Sequence, residues 1–209
     1  MRTKTVEIKA PNLQVAEFTI VGNAPLVTNK FSNKAKQIMK DKQMAGSTAK
    51  KGNREGKDFQ ACFEGAKHVS VEGWCGIPAS AFRCAMISAC KISGFPMTKA
   101  KLSVFCVADG FEKDDGTPLV KITKGEPVYY EALVRNETGV ADIRARPMWR
   151  EGWEAVVRIK YDADQFTLIE ITNLLLRAGL QVGLCEGRPD SKDSAGIGFG
   201  TFEFKGENK

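Results

Sequence analysis

The basic residues of this chain are concentrated in one segment, Lys30 to Lys57, and their chemistry is suited to binding polyanions. The segment has nine basic residues and two acidic ones, a net charge of +7, whereas the whole 209-residue chain carries +6. The nine are Lys30, Lys34, Lys36, Lys40, Lys42, Lys50, Lys51, Arg54 and Lys57. Because cations that neutralise phosphates release counterions, the segment predicts contact with nucleic acid. The alternative is a solvated loop that only aids solubility.

A glycine-rich loop near the carboxyl end is a second candidate for phosphate contact. Residues 183–200 contain five glycines together with Arg188 and Lys192. Glycine permits positive φ and lets backbone N–H groups approach an anion closely. The Arg188 guanidinium can bind a phosphate through two hydrogen bonds or stack on a base. The loop matches neither a P-loop nor a dinucleotide-binding fingerprint, and the alternative is a plain flexible connector.

Basic and aromatic side chains are interleaved from Ile143 to Arg150. In a strand, alternation would place Arg144, Arg146 and Met148 on one face, where guanidinium and aromatic planes can stack bases. The alternative is an outward basic face whose tryptophans anchor the segment to the core. Arg83, near the start of a helix, is a further candidate, although a surface ion pair would explain it equally. The predicted nucleic-acid-binding residues are Lys30, Lys34, Lys36, Lys40, Lys50, Lys51, Arg54, Arg83, Arg144, Arg146, Trp149, Arg150, Gly187, Arg188 and Lys192.

Residues for catalysis or metal binding are sparse. His68 is the only histidine, and one histidine cannot act alone as both general acid and general base. Asp41 matches no catalytic motif. The six cysteines form no C-x-x-C pair, so we expect buried, reduced thiols rather than a zinc site. We therefore predict no enzymatic activity, no metal and no cofactor.

The pattern of apolar and turn residues predicts an α+β domain. A helix is expected to begin at Pro78 and end at Gly94, and a capping box at Thr167 starts another, with Gly179 as its left-handed stop. A short helix is expected at 33–41 and disorder at 46–57. Strands are expected at 16–21, 102–107, 119–122, 128–134, 142–149, 153–161 and 198–204. Without insertions the order is β-α-β-β-α-β, which is ferredoxin-like, or RRM-like.

The long helix ending in Ala178-Gly179, the glycine and arginine loop after it, and the apolar strand Gly198 to Phe204 resemble the RAMP superfamily. These are repeat-associated proteins of CRISPR systems, and the organisation is most similar to that of the backbone subunits that coat guide RNA. The resemblance implies one domain over 1–209, with a basic insertion at 30–74, a β-hairpin excursion at 110–152 and the glycine-rich loop at 183–200. The chain also resembles small bacteriophage-encoded proteins of undefined role, at Ala24-Pro25-Leu26-Val27, Ala141 to Arg146 and Gly187-Arg188-Pro189.

These observations predict a non-catalytic protein that binds single-stranded RNA or DNA and assembles with copies of itself or with effector-complex subunits. Two alternatives stay open: a phage protein that mimics an effector subunit and binds or inhibits a host CRISPR complex, and a guide-RNA-processing endoribonuclease that uses His68. No run approaches the ~18 apolar residues of a membrane span, and the start does not resemble a secretory signal. We therefore expect no membrane partner and a cytoplasmic location, in the bacterial host if the protein is phage-encoded.

Overall fold

The computed structural model describes residues 9–31, 33–46, 56–135, 139–191 and 196–206. For Asn33, Lys34, Ala35, Lys42, Ala45 and Arg135 it describes the backbone alone. The described chain is an α+β domain with two antiparallel sheets. Its strands are β1 Leu13–Gly22, β2 Leu26–Val27, β3 Gly76–Pro78, β4 Val104–Val107, β5 Gly110–Phe111, β6 Pro118–Lys124, β7 Val128–Arg135, β8 Ala141–Trp149, β9 Glu154–Asp162 and β10 Phe202–Phe204. Its α-helices are α1 Asn33–Ala45, α2 Phe59–Gly65, α3 Ala79–Ser93, α4 Met97–Ser103 and α5 Leu168–Arg177.

The larger sheet positions the core. Its order is β10-β1-β9, with β4 and β6 both pairing with β9 and with β3 beyond β6. β1 and β9 pair from Leu13 opposite Asp162 to Val21 opposite Glu154. Because side chains alternate across a strand, Val157 and its neighbours two residues away on β9 all point to one face, where they are buried in a cluster shared with α3 and α5.

Local signals set both ends of α3 and the start of α5 as the sequence predicted. α3 follows Pro78 and ends at Gly94, which has φ 70°. At the start of α5, the Glu170 N–H donates to the Thr167 hydroxyl at 3.3 Å, and the Thr167 N–H donates to the Glu170 carboxylate at 2.7 Å. These reciprocal bonds satisfy two N–H groups that a helix start otherwise leaves unpaired, and they confirm the capping box.

Three local predictions were wrong. The strand expected at 198–204 is limited to β10, Phe202–Phe204. The expected strand at 102–107 begins at Val104, because the chain after Pro96 forms the short helix α4, Met97–Ser103, which the sequence analysis did not predict. Gly179 is not a left-handed stop: α5 runs into a π-helical turn, Ala178–Val182, and the chain turns at Gly183, with φ 73°. Gly179 is required for a different reason, since a Cβ there would lie 2.3 Å from the Phe202 carbonyl oxygen.

The smaller sheet has the order β2-β8-β7. The predicted excursion at 110–152 is divided between the two sheets, because β5 and β6 join the larger sheet, where Ile122 lies opposite Ala155. Trp149 and Trp153 are fully buried where β8 turns into β9, and the Trp153 indole N–H donates to the Ala24 carbonyl at 3.0 Å. The two rings therefore fix the smaller sheet to the core.

The predicted insertion at 30–74 contains α1 and α2. α1 runs beyond the expected 33–41, and most of the stretch expected to be disordered lies outside the described residues. Asp58 caps α2 by accepting the Ala61 N–H at 2.9 Å. Among the described residues, no helix combines the length and the apolar character that crossing a membrane requires.

Candidate nucleic-acid interface

A surface groove of about 460 Å³ lies where the insertion, the start of α3 and the glycine-rich loop meet. The insertion contributes His68, with Asn29 just before it, α3 contributes its first turns, and the loop contributes residues 185–188 and Ser191. A recess of about 160 Å³ shares part of this lining and extends along α3 as far as Ser88. No described residue of the basic segment Lys30 to Lys57 lines the groove, but Asn29 and His68, which lie on either side of that segment in the chain, do line it.

The start of α3 gives the groove a positive electrostatic end. α3 has 15 residues, no acidic residue in its first turn, and at its N-cap Pro78, whose side chain has no hydrogen-bond acceptor. The aligned peptide dipoles of a helix place about half a positive charge at its amino end. Ser80, which lines the groove, is exposed. This end of the groove therefore favours an anion such as a phosphate.

The glycine-rich loop is held in a fixed conformation by its own backbone hydrogen bonds. The Leu184 N–H donates to the Gly200 carbonyl at 2.9 Å, and the Glu186 N–H donates to the Val27 carbonyl at 3.0 Å. Gly200 has φ 71°, and a Cβ there would lie 2.0 Å from the Leu184 carbonyl oxygen. The glycines therefore serve the close packing of the loop, and these particular N–H groups do not face a ligand.

Arg188 is the cation of the loop that lines the groove. Its side chain is half-buried, and one guanidinium N–H donates to the Cys185 carbonyl at 2.9 Å. That bond leaves most of its five N–H donors for other partners. Cys185 itself has a backbone φ of 60°, in the left-handed region that residues other than glycine rarely adopt. Burial raises the pKa of the Cys185 thiol to about 12, so it stays protonated in the groove wall.

Lys30 is a structural residue rather than a phosphate contact, which corrects the prediction. Its ammonium is 2.6 Å from the carboxylate of Glu112 and also pairs with Asp114. The side chains of Lys30 and Glu112 are 6% and 0% exposed. The pKa of Lys30 is raised: burial lowers it, but the hydrogen bonds and charges of the two carboxylates outweigh that effect. This pair ties the base of the insertion to the turn after β5.

The other lysines predicted in the insertion differ in their surroundings. The Lys36 ammonium is 2.6 Å from the Asp115 carboxylate, in a pair that is about one-third exposed. Lys40 is exposed on α1. The predicted contacts Lys50, Lys51, Arg54 and Lys192 lie outside the described residues, as does the side chain of Lys34.

The strand β8 places Arg144, Arg146 and Met148 on one face, as its alternation predicted. Both arginines are paired internally: Arg146 with the Glu186 carboxylate at 2.9 Å, and Arg144 with Asp142 at 3.6 Å. Since Glu186 belongs to the glycine-rich loop, the Arg146 pair joins the smaller sheet to that loop. Arg146 is thereby a residue that positions the loop.

Three further candidates do not extend the groove. Trp149 is 0% exposed, so the idea that its ring stacks a base is wrong. Arg83 donates to the carbonyls of Val104 at 2.9 Å and of Lys101, and it thereby holds α3 against the strand edge. Arg150 is exposed at the turn between β8 and β9, outside the lining of the groove.

His68 also lines the groove, although the sequence analysis considered it only as a possible catalytic residue and not as a binding residue. Its ring is mostly buried, and Nδ1 has no hydrogen-bond partner among the described residues. Burial, followed by the nearby charge of Lys30, lowers the pKa of His68 to about 4, so the imidazole is neutral at pH 7. The only sequence signal was its position in the insertion. A buried polar atom without a partner is uncommon, and among the described residues Nε1 of the buried Trp149 is the other such atom.

Within the described residues, no three His, Cys, Asp or Glu side chains are arranged to hold a metal ion. Comparison with known proteins found no matching protein family and no similar curated protein. Function is therefore inferred from the groove itself.

Proposed function

We propose that this protein binds single-stranded RNA or DNA, without cleaving it, in the groove between the insertion, the start of α3 and the glycine-rich loop. The observation that carries the proposal is the meeting of these three elements along one groove. The groove is open to solvent, so a flexible polymer can enter it from the surface.

The electrostatics of the groove support a phosphate backbone as the ligand. The positive end of α3 and the guanidinium of Arg188 lie along it, and the basic segment Lys30 to Lys57, with a net charge of +7, lies in the chain between two of its lining residues, Asn29 and His68. Phosphate contacts of this kind give affinity without sequence preference. The neutral imidazole of His68 can then form a hydrogen bond with a base or a sugar hydroxyl.

The strand order supports a ferredoxin-like core as part of the proposal. In chain order β1, α3, β4, β9, α5 and β10 form a β-α-β-β-α-β unit, and their strands lie in the order β10-β1-β9-β4. This is the arrangement expected of a split βαβ fold. With the glycine-rich loop between α5 and β10, it supports our proposal that the chain is a RAMP-like protein, similar in organisation to guide-RNA-coating subunits.

We further propose that copies of the protein assemble side by side on one strand, in the cytoplasm. All six cysteines are free, which suits a reducing compartment. The competing idea is that the protein mimics an effector subunit of a host CRISPR complex. That idea predicts a stable complex with effector subunits after nuclease treatment, whereas strand binding predicts that assembly requires the oligonucleotide.

A second candidate function is endoribonuclease activity, which the position of His68 in the groove favours. It requires His68 to transfer a proton, and the lowered pKa leaves little imidazolium at pH 7. Incubation with labelled RNA hairpins separates the two functions: binding alone leaves the hairpins intact. Cleavage that disappears in His68→Ala would overturn our non-catalytic proposal.

The primary test is a fluorescence anisotropy titration with random-sequence single-stranded RNA and DNA across a salt series. If about four to six phosphates are neutralised, the slope of log K against log salt is about −3 to −4. Arg188→Ala should weaken binding and flatten that slope by roughly one contact, whereas Arg177→Ala, on the exposed side of α5, should not. Negligible binding at every salt concentration would refute the proposal.

A further inference from the structure

The basic insertion is attached to the rest of the protein by an ion pair on each side of residues 47–55. Before that stretch, the Lys36 ammonium lies 2.6 Å from the Asp115 carboxylate. After it, the Lys57 ammonium pairs with the Asp142 carboxylate and also donates to the Ile143 carbonyl at 3.2 Å. Asp115 belongs to the turn after β5 and Asp142 to β8, so two separate elements hold the insertion.

Both pairs are open to solvent, unlike the pair of Lys30. The side chains of Lys36 and Asp115 are 36% and 34% exposed, and those of Lys57 and Asp142 are 48% and 25% exposed. Exposed pairs are weak and exchange their partners readily. A phosphate oxygen accepts the same charge-assisted hydrogen bond from a lysine that a carboxylate oxygen accepts.

We propose that Asp115 and Asp142 are internal competitors that occupy Lys36 and Lys57 until a phosphate backbone displaces them. This inference rests on the proposed function and describes how its site is regulated. The two carboxylates keep the insertion against the protein in the free state. Binding then exchanges two internal ion pairs for two phosphate contacts.

The environment of each carboxylate keeps it in place when the lysine leaves. The Asp115 carboxylate also accepts hydrogen bonds from the Thr117 hydroxyl at 2.7 Å and the Thr117 N–H at 3.1 Å. The hydrogen bond from Lys36, together with those from Thr117, holds the pKa of Asp115 below its usual range. Asp142 also lies 3.6 Å from the Arg144 guanidinium. Neither carboxylate depends on its lysine for orientation, so each can recapture it.

The test compares Asp115→Asn, Asp142→Asn and the double variant with wild type, using anisotropy with a random-sequence single-stranded 20-mer at low salt. Each single variant should bind about two- to fivefold more tightly, the range that exposed ion pairs give, and the double variant should combine the gains. Asp109→Asn is the matched control, since it removes one carboxylate that pairs with Arg158 outside the insertion. That control should leave the affinity unchanged.

Two further measurements separate competition from a general gain in positive charge. In a Lys36→Ala background, Asp115→Asn should bring no gain in affinity. In the free protein, amine acylation read by mass spectrometry should be faster at Lys36 in Asp115→Asn and faster at Lys57 in Asp142→Asn.

If wild-type binding is saturable and the double variant binds with the same affinity, the competition proposal is refuted and the proposed function stands. An affinity gain in Asp109→Asn as large as those of the other two variants would overturn it as well. If no variant and no wild-type protein binds, the proposed function fails and the competition fails with it.

Discussion

Replacing Ser80 by aspartate tests the groove without disturbing the fold. Ser80 is exposed, lines the groove and is the second residue of α3. A carboxylate there lies close to the position proposed for a phosphate. Two like charges about 6 Å apart at an effective dielectric constant of about 40–80 repel by about 0.7–1.4 kcal/mol, which weakens binding about three- to tenfold.

The same substitution should stabilise the protein, which makes the prediction specific. An acidic residue in the first turn of a helix contributes about 0.3–1 kcal/mol, equivalent to a rise of roughly 1–3 °C in the melting temperature of a domain this size. The assay is anisotropy at fixed salt, with thermal unfolding of the same samples. Binding should fall while the melting temperature rises or stays level.

A matched control is available at the same position of the other core helix. Ile169 is the second residue of α5 and is 72% exposed, and it does not line the groove. Ile169→Asp changes the net charge equally and should leave the affinity within about twofold of wild type. The phosphate position at the start of α3 is wrong if Ser80→Asp binds as tightly as wild type, or if Ile169→Asp weakens binding to the same extent.

Three further predictions concern the scaffold of the site. Lys30→Ala should lower the free energy of unfolding in urea by about 3 kcal/mol or more, because a buried carboxylate loses its partner, whereas Lys36→Ala should cost less than about 1 kcal/mol. Gly179→Ala should cost about 1–3 kcal/mol through overpacking against a strand carbonyl, whereas Gly206→Ala, with nothing within 4 Å, should be neutral. Folding lowers the pKa of His68 from 6.5 to about 4, so stability is complete above about pH 6.5 and falls by about 3 kcal/mol as the pH drops to about 4, a slope that His68→Gln should abolish.

The contradicting outcomes are equally distinct. Equal costs for the two lysine variants would show that the Lys30 pair is not buried in solution. A neutral Gly179→Ala would mean that the strand moves aside at no cost. Acidic carboxylates such as Asp115, whose pKa folding also lowers, lose their contribution only near and below about pH 4. A stability loss between pH 6.5 and 4 that persists in His68→Gln would therefore contradict the assignment to the histidine.

Features fixed by neighbouring residues could be predicted from the sequence. The capping box at Thr167 and the left-handed end of α3 at Gly94 each depend on a few consecutive residues, and both occur as expected. Strand alternation likewise placed Arg144 and Arg146 on one face of β8.

Features that depend on distant partners could not be predicted. Lys30 looked like a phosphate contact because its partner Glu112 is 82 residues away. Gly179 looked like a helix stop, although the carbonyl of Phe202 on β10 is what requires a glycine there. His68 lines the groove because the insertion packs against α3 and the loop, and no local spacing in the sequence encodes that packing.

Hydrogen–deuterium exchange with and without a single-stranded 20-mer is the decisive test of the groove as the binding site, because it locates the contact on the chain. We predict slower exchange at 78–84 and 185–191, which line the two sides of the groove, and unchanged exchange at 13–17 and 158–160 on the strands β1 and β9. Slower exchange confined to β1 and β9, with the groove segments unchanged at saturating oligonucleotide, would contradict this prediction.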